Sequence, residues 1–150
     1  MKLCRPFTRL ALSCALILPL LSGCNTLSGT PSMARVTVQP GEVRLGDTIR
    51  IEAEVRDKHA LVRSMRGQVR EVPELGFTLR DDGQAPDFKA GDQVWTIEGL
   101  IPATAPPGEY HILLSAFTGS KSPEPIQVRS KGQVTPLQTE TVIKILPPQP

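Results

Sequence analysis

The chain has few aromatic side chains and only two histidines. Only 4% of its 150 residues are aromatic, so we expect a mainly aliphatic core with Trp95, Phe77 and Tyr110 as its large members. The histidines, His59 and His111, lie far apart and lack the cysteine or histidine spacing of a zinc site. The sequence has no Gly-x-Ser-x-Gly elbow, and its aspartates cluster where they would repel one another. We therefore expect a protein that is not an enzyme.

The first two dozen residues form a distinct segment. MKLCRPFTRL carries three basic residues and no acidic one, and the apolar run ALSCALILPLL follows it. This order is typical of a secretory signal peptide. A membrane-spanning helix needs roughly 20 apolar residues, and this run is about half as long before Ser22 and Gly23 interrupt it. We expect residues 1–23 to be a signal that is removed.

This segment ends in Leu21-Ser22-Gly23-Cys24. The four residues resemble the lipobox of bacterial lipoproteins, in which diacylglycerol is joined to the cysteine thiol and the chain is cut before it. The resemblance implies a covalent lipid on Cys24 and attachment to a membrane, since two or three acyl chains anchor a protein stably. Asn25 follows in place of the aspartate that commonly retains such proteins at the inner membrane. The resemblance therefore favours the outer membrane if the source is a Gram-negative bacterium.

Removal of residues 1–23 changes the charge and the cysteine count. Cys4 and Cys14 leave with this segment, so the folded part is expected to contain no disulfide. Loss of the three basic residues leaves 14 Lys and Arg against 15 Asp and Glu, a formal charge of −1 in place of +2. This balance gives no support for nucleic-acid binding.

The rest of the chain is expected to be a lipid-anchored tether at 24–33, a domain at 34–146 and a Pro-rich tail at 147–150. The repeating signal in the domain is alternation of apolar and polar residues, which is typical of strands. Seven strands over roughly 110 residues, separated by Pro, Gly and Asp turns, predict an all-β fold, a single immunoglobulin-like β-sandwich. The predicted strands lie in ARVTVQP, DTIRIEAEVRD, ALVRSMRGQVREV, ELGFTLRDDG, DQVWTIEGLIP, GEYHILLSAFT and LQTETVIKIL.

Three short motifs occur between Leu79 and Ala116: LRDDG, AGD and PPGEY. In this order they resemble the second half of bacterial extracytoplasmic Ig-like domains. The resemblance implies the same architecture, with the Tyr110 hydroxyl bonding back to the backbone at the corner of the sandwich. The chain departs from the pattern at Gln93, where many members of that group have glycine.

The stretch RDDGQAPDFKAGDQVW, residues 80–95, contains four aspartates: Asp81, Asp82, Asp87 and Asp92. Calcium takes about six to eight oxygen ligands, and this loop offers several carboxylates. Gly83 and Gly91 would allow the loop to bend around an ion. Aspartates also close turns onto their own backbone without a metal, and the spacing is not that of an EF-hand. The sequence leaves two hypotheses open, a calcium-binding loop and a structural turn between two strands.

Charge is unevenly distributed along the domain. Residues 56–70 hold five basic residues against Asp57 alone, and residues 71–98 hold seven acids against Arg80 and Lys89. Neighbouring elements of this kind either neutralise each other or present a basic edge to an acidic partner or to anionic lipid. The candidate partner-binding residues are Arg63, Arg66, Arg70 and Lys121.

These features favour a lipid-anchored cell-envelope module that works by binding, as an accessory or assembly component of an envelope complex. Its expected partners are the membrane, through the lipid on Cys24, and an envelope protein, with no nucleic acid. The alternative is a calcium-dependent adhesion or glycan-binding lipoprotein. Calcium is the one cofactor that this alternative adds.

Overall fold

The computed structural model describes residues 29–119 and 123–149. Cys24 and Lys121 lie outside the described residues, as do the predicted signal segment and the first half of the tether. The last two residues predicted to be tether, Ser32 and Met33, belong to β1. The described ranges contain ten β-strands and no α-helix, which confirms the predicted all-β fold. Consequently, no helix in these ranges is long and apolar enough to cross a bilayer.

The strands follow one another closely along the chain. They are β1 Ser32–Gln39, β2 Glu42–Val43, β3 Thr48–Arg56, β4 Ser64–Val69, β5 Val72–Leu79, β6 Val94–Leu100, β7 Gly108–Phe117, β8 Gln127–Ser130, β9 Gln133–Pro136 and β10 Gln138–Ile145.

Two sheets form a β-sandwich. One has the order β1-β3-β6 and the other β2-β10-β7-β4-β5, while β8 and β9 pair only with each other. All neighbours are antiparallel except β2, which runs parallel to β10. From β1 to β7 the chain thus crosses between the two facing sheets at every connection except the one from β4 to β5, an alternation typical of immunoglobulin-like folds.

The core is aliphatic and comes from one face of each sheet. Alternate residues of a strand point to opposite faces, so every second residue of β3 and β7 turns inward. The buried residues of these two strands are Ile49, Ile51, Ala53, Val55, Ile112, Leu114 and Ala116. The large aromatics Phe77, Trp95 and Tyr110 pack against this cluster but are only partly buried.

The predicted count of seven strands is wrong because three further strands occur. All seven predicted strands are present, and the additional ones are β2, β8 and β9. β2 has two residues, too few to show alternation. β8 and β9 lie in a Pro-, Ser- and Lys-rich stretch that looks like a loop, but Lys131 and Gly132 have φ of +49° and +83° and close it into a hairpin.

Candidate functional site

The aspartate loop connects β5 to β6 and is closed at its base by backbone hydrogen bonds. The Arg80 amide donates to the Thr96 carbonyl at 2.9 Å, and the Thr96 amide donates back to the Arg80 carbonyl at 2.8 Å. The loop therefore leaves one sheet and enters the other from a fixed point. Within the loop, the exposed Phe88 ring lies against the Arg50 guanidinium, which is 4.9 Å from the ring centre.

The structure brings three of the four predicted aspartates together. Carboxylate oxygens of Asp81, Asp87 and Asp92 all lie within 4.8 Å of one another. Asp82 is outside this group because its carboxylate accepts two hydrogen bonds from the Arg80 guanidinium, at 2.9 and 2.7 Å.

Each carboxylate of this cluster already accepts main-chain hydrogen bonds. Asp81 accepts from the amides of Gly91 at 2.8 Å and Gln93 at 3.3 Å. Asp87, which is only 4% exposed, accepts from the amides of residues 83 and 89 at 2.5 and 3.1 Å. Asp92 accepts from the amide of residue 94 at 3.0 Å. These bonds close the turns, which is the arrangement that a structural loop requires.

The local environments shift the carboxylate pKa values in opposite directions. The Gly83 amide is the main cause of a lowered pKa for Asp87, because a hydrogen bond to the charged form favours it. The Arg80 guanidinium likewise lowers the pKa of Asp82. Burial raises the pKa of Asp81, and the charges of Asp92 and Asp87 add to the increase. Burial thus disfavours the Asp81 anion, whereas the main-chain hydrogen bonds favour the Asp87 anion.

Gln93 joins this loop to the turn after β3. Its backbone has φ of +68°, a left-handed conformation that glycine adopts most readily. The Gln93 side chain accepts from the Asp57 amide at 2.9 Å and donates to the Asp57 carbonyl at 3.2 Å. The buried Asp57 carboxylate in turn accepts from the amides of His59 and Val62, at 3.1 and 2.7 Å. The Gln93 side chain thus makes a contact that glycine at this position could not make.

The candidate basic residues occupy different environments. Arg63 borders a concavity of about 260 Å³ that also contains Asp57 and Asp81. Arg66 lies in a groove of about 380 Å³ on the outer face of the five-stranded sheet, with its guanidinium 5.2 Å from the centre of the Phe117 ring. Arg70 is ion-paired with Glu140 at the exposed surface. Lys121 lies outside the described residues.

The two histidines are separate. His111 contacts Glu71 through its ring Nδ1 at 2.6 Å, and its amide donates to the same carboxylate at 2.9 Å. These two contacts lower the pKa of Glu71. His59 is exposed and lies in the turn after β3.

The Tyr110 hydroxyl donates a hydrogen bond to the Pro106 carbonyl at 2.7 Å. This is the corner contact that the PPGEY motif implies. It fixes the turn that leads into β7.

Sequence reasoning missed an apolar cavity of about 220 Å³ between the two sheets, where β5 and β6 diverge. Leu75 and Phe77 of β5 line one side, and Ile97 and Leu100 of β6 line the other. Leu75 is 49% exposed and Leu100 is 69% exposed, so the cavity has an apolar rim. Alternation in the sequence marks these residues as apolar but does not say which edge of the sandwich stays open.

Comparison with known proteins assigns no family. No protein-family model matches the chain, and no curated protein sequence is significantly similar to it. Among solved structures, the chain is similar to Pseudomonas fluorescens alkylpurine DNA glycosylase AlkC bound to DNA containing an abasic site analog, with 13% identity and a TM-score of 0.45. The similarity covers 79% of this chain and 31% of that one, so this chain spans about a third of that protein. A likeness this weak carries no conclusion about function.

Proposed function

We propose that the protein is a lipid-anchored binding module of the bacterial cell envelope, an accessory or assembly component of an envelope complex. The observation that carries the proposal is Leu21-Ser22-Gly23-Cys24 at the end of a signal-like segment, with β1 beginning at Ser32. A diacylated or triacylated cysteine at position 24 would attach the sandwich to a membrane through a short tether. If the source is a Gram-negative bacterium, Asn25 favours the outer membrane.

The point where the chain enters the sandwich supports attachment at one end. Gly29 lies against Lys58 and His59, and Ser32 pairs with Arg56 at the C-terminal end of β3. Ile49, near the other end of β3, is separated from Arg56 by a distance of about 23 Å at roughly 3.3 Å per residue. An anchor on the N-terminal side therefore leaves the far end of the sandwich accessible to a partner.

In this proposal the protein works by presentation and not by catalysis. The lipid holds one end, the tether gives reach, and an edge strand or loop contacts an envelope protein. Arg63, Arg66, Arg70 and Lys121 are the basic residues proposed to contribute to such a contact. Ionic attraction at exposed residues is screened over about 8 Å at physiological salt, so the contact should weaken as salt increases.

The second candidate is a calcium-dependent adhesion or glycan-binding lipoprotein. The observation that favours it is the convergence of Asp81, Asp87 and Asp92 within 4.8 Å. Oxygen ligands of this type suit calcium. Against this candidate, each of the three carboxylates also has main-chain donors within the loop.

The anchor is tested by comparing Cys24→Ala with Cys14→Ala in the full chain expressed in a Gram-negative host. We expect the unaltered chain and Cys14→Ala to fractionate with the outer membrane and to carry the mass of attached acyl chains. Cys24→Ala should carry no lipid and should lose outer-membrane attachment. Equal lipidation and fractionation of all three proteins would contradict the proposal.

The partner is tested by cross-linking intact envelopes, capturing the tagged protein and identifying bound proteins by mass spectrometry, with Cys24→Ala as the mislocalised control. Enrichment of one envelope protein with the lipidated form alone supports the assembly role. Retention on purified envelope polysaccharide in the presence of calcium, without an enriched protein, would favour the second candidate.

A further inference from the structure

A row of three polar side chains crosses the outer face of the five-stranded sheet. Thr78 of β5 and Ser115 of β7 are the cross-strand partners of Arg66 of β4, so the arginine lies between two hydroxyl groups on one face. Neighbouring strands lie about 4.8 Å apart, and the row therefore spans roughly 10 Å. An arginine side chain only donates hydrogen bonds, and a hydroxyl can donate as well as accept. The row thus offers several donors to one ligand, with a positive charge at its centre.

The row lies in a groove of about 380 Å³ because position 76 has no side chain. Gly76 is opposite Gln68. Outside its chain neighbours, the nearest described atom to a Cβ at residue 76 would be the Gly67 carbonyl oxygen, at 3.8 Å. The Gln68 amide donates to the Pro73 carbonyl at 2.6 Å, which ties this side chain to β5. Leu113 of β7 adds an apolar side to the groove.

The Phe117 ring holds the Arg66 guanidinium in the groove. The Cζ atom of Arg66 is 5.2 Å from the ring centre, which is within the range of a cation–π interaction. Such a contact does not use the N–H groups as donors to an oxygen, so they stay available to a ligand. Within the part of the chain that the structure describes, Arg66 forms no ion pair. The guanidinium is therefore positioned before a ligand binds, and its charge is not neutralised.

The charge of the groove indicates the chemistry of the ligand. Arg66 is the only ionisable side chain among the described residues that line it. Two acidic residues lie outside the groove on neighbouring parts of the sheet, Glu74 of β5 and Glu140 of β10, and Glu140 is ion-paired with Arg70. A carboxylate suits this site, because its two oxygens accept parallel hydrogen bonds from the planar guanidinium and have further lone pairs for neighbouring hydroxyls.

The apolar side of the groove favours a protein as the source of the carboxylate. Leu113 and Phe117 are half-buried on the same face as Arg66 and border the row of donors. A protein segment can place an apolar side chain beside an acidic one and so cover both parts of the groove. Arginine and aromatic residues in such pockets commonly supply much of the binding energy of protein interfaces.

We propose that this groove binds an acidic side chain of the envelope partner protein. The carboxylate lies on Arg66 between Thr78 and Ser115, and an adjacent apolar residue of the partner packs against Leu113. Charge complementarity gives the contact its specificity, since a basic segment would be repelled by Arg66. The inference deepens the proposed function, on which it rests for the partner's location in the envelope.

The test selects a displayed library of random short peptides against the purified full-length chain. We expect the enriched peptides to share an Asp or Glu beside an apolar residue. Arg66→Gln should weaken their binding at least tenfold, because it removes the charge and the paired donors. Arg56→Gln is the matched control and should leave binding unchanged, since Arg56 is an exposed arginine of β3 in the other sheet.

Gly76→Gln tests the groove without altering the arginine. Alternation along β5 directs a side chain at position 76 to the outer face, where it would occupy the groove. We expect this variant to lose peptide binding and to keep the melting temperature of the unaltered chain, because glycine is not favoured within a strand. The proposal is overturned if Gly76→Gln binds as well as the unaltered chain, if the two arginine variants bind equally, or if no acidic motif is enriched.

Polygalacturonate, a polymer of acidic sugars, distinguishes a second source of carboxylate. We expect it not to bind. Retention of polygalacturonate that Arg66→Gln abolishes, with no peptide enriched, would overturn the protein partner and assign the groove to an acidic glycan. The peptide experiment involves no lipid, so its failure is distinguishable from a failure of the Cys24→Ala test.

Discussion

At the scale of single residues, Gln93 combines an unfavourable backbone conformation with two favourable side-chain contacts. A non-glycine residue at φ of +68° has a steric cost of roughly 1–2 kcal/mol. The side-chain amide of Gln93 forms hydrogen bonds with both the backbone N–H and the backbone C=O of Asp57. These bonds connect the loop before β6 to the turn after β3. Two hydrogen bonds of about 1 kcal/mol each are enough to offset this cost.

Gln93→Ala and Gln93→Gly separate the two effects. We expect Gln93→Ala to lower the free energy of unfolding by about 2 kcal/mol, because both contacts are lost and the left-handed backbone remains. Gln93→Gly should cost about 1 kcal/mol less than the alanine variant, because glycine relieves the backbone. Urea unfolding of the two variants measures the difference. Equal destabilisation would show that the backbone conformation has no net cost.

Asp87 and Asp81 should respond to pH with opposite signs. The lowered pKa of Asp87 means that its contribution to stability is present at neutral pH and is lost as the pH falls below about 4. The raised pKa of Asp81 means that stability is lost as the pH rises through its folded-state pKa.

We therefore expect Asp87→Asn to destabilise the protein more at about pH 7 than at about pH 3. Asp81→Asn should destabilise the protein less at about pH 7 than at about pH 3. Denaturant unfolding of both variants and the parent chain at the two pH values measures these differences. The same pH trend in both variants would contradict the assigned environments.

At the scale of elements, β4 and β5 fit together because a glycine faces an aromatic ring. Gly67 pairs with Phe77, and a Cβ at position 67 would overlap the Phe77 ring. The ring thus fills the space that any larger residue at 67 would occupy. The contact also sets where Phe77 lies along the wall of the apolar cavity.

Gly67→Ala should displace the Phe77 ring and destabilise the protein by about 1–3 kcal/mol, the usual cost of overpacking. Gly99→Ala in β6 is the matched control, since a Cβ at that position meets nothing within 4 Å. Thermal unfolding measures the two changes. A loss of stability in Gly99→Ala equal to that in Gly67→Ala would rule out the ring contact as the cause.

The aspartate loop provides the next prediction at this scale. Its main-chain hydrogen bonds close the turns without an ion, so we expect the melting temperature to be the same in millimolar calcium and in chelator. Magnesium is the control for a general ionic effect. A rise in melting temperature with calcium alone, abolished by Asp87→Asn, would contradict the structural-turn hypothesis and favour the calcium-dependent candidate.

At the scale of the whole molecule, the two sheets share one aliphatic core. The core includes Val43 of β2 and Ile126 and Leu137 at the base of the β8–β9 hairpin. The Ile126 amide donates to the Ala116 carbonyl and the Leu137 amide donates to the Ile126 carbonyl, so the hairpin is joined to β7. The described elements should therefore unfold together.

Leu114→Ala, at a site with no solvent exposure, should cost about 2–5 kcal/mol and lower the single unfolding transition of the whole sandwich. Leu61→Ala is the exposed control and should cost much less, since Leu61 is 46% exposed. Circular dichroism and Trp95 fluorescence, followed during denaturation, should report the same transition. Separate transitions would show that the sandwich is not one cooperative unit.

The sequence alone determined the all-β class and the approximate positions of seven strands, because side-chain alternation is a local property of the chain. Motif resemblance added the corner contact of Tyr110, which the structure contains. Sequence reasoning also placed the aspartates in one loop between two strands. It missed β8 and β9 because their turn-forming residues resemble those of an irregular loop.

Only the tertiary structure decided which aspartates converge, which face each arginine occupies and which edge remains open. Asp82 is as close to Asp81 in sequence as any residue, yet Arg80 holds it outside the cluster. The cavity beside β6 exists because β5 and β6 separate beyond the Arg80–Thr96 bridge. These features depend on pairing between distant segments, and the pattern of residues within one segment does not contain that information.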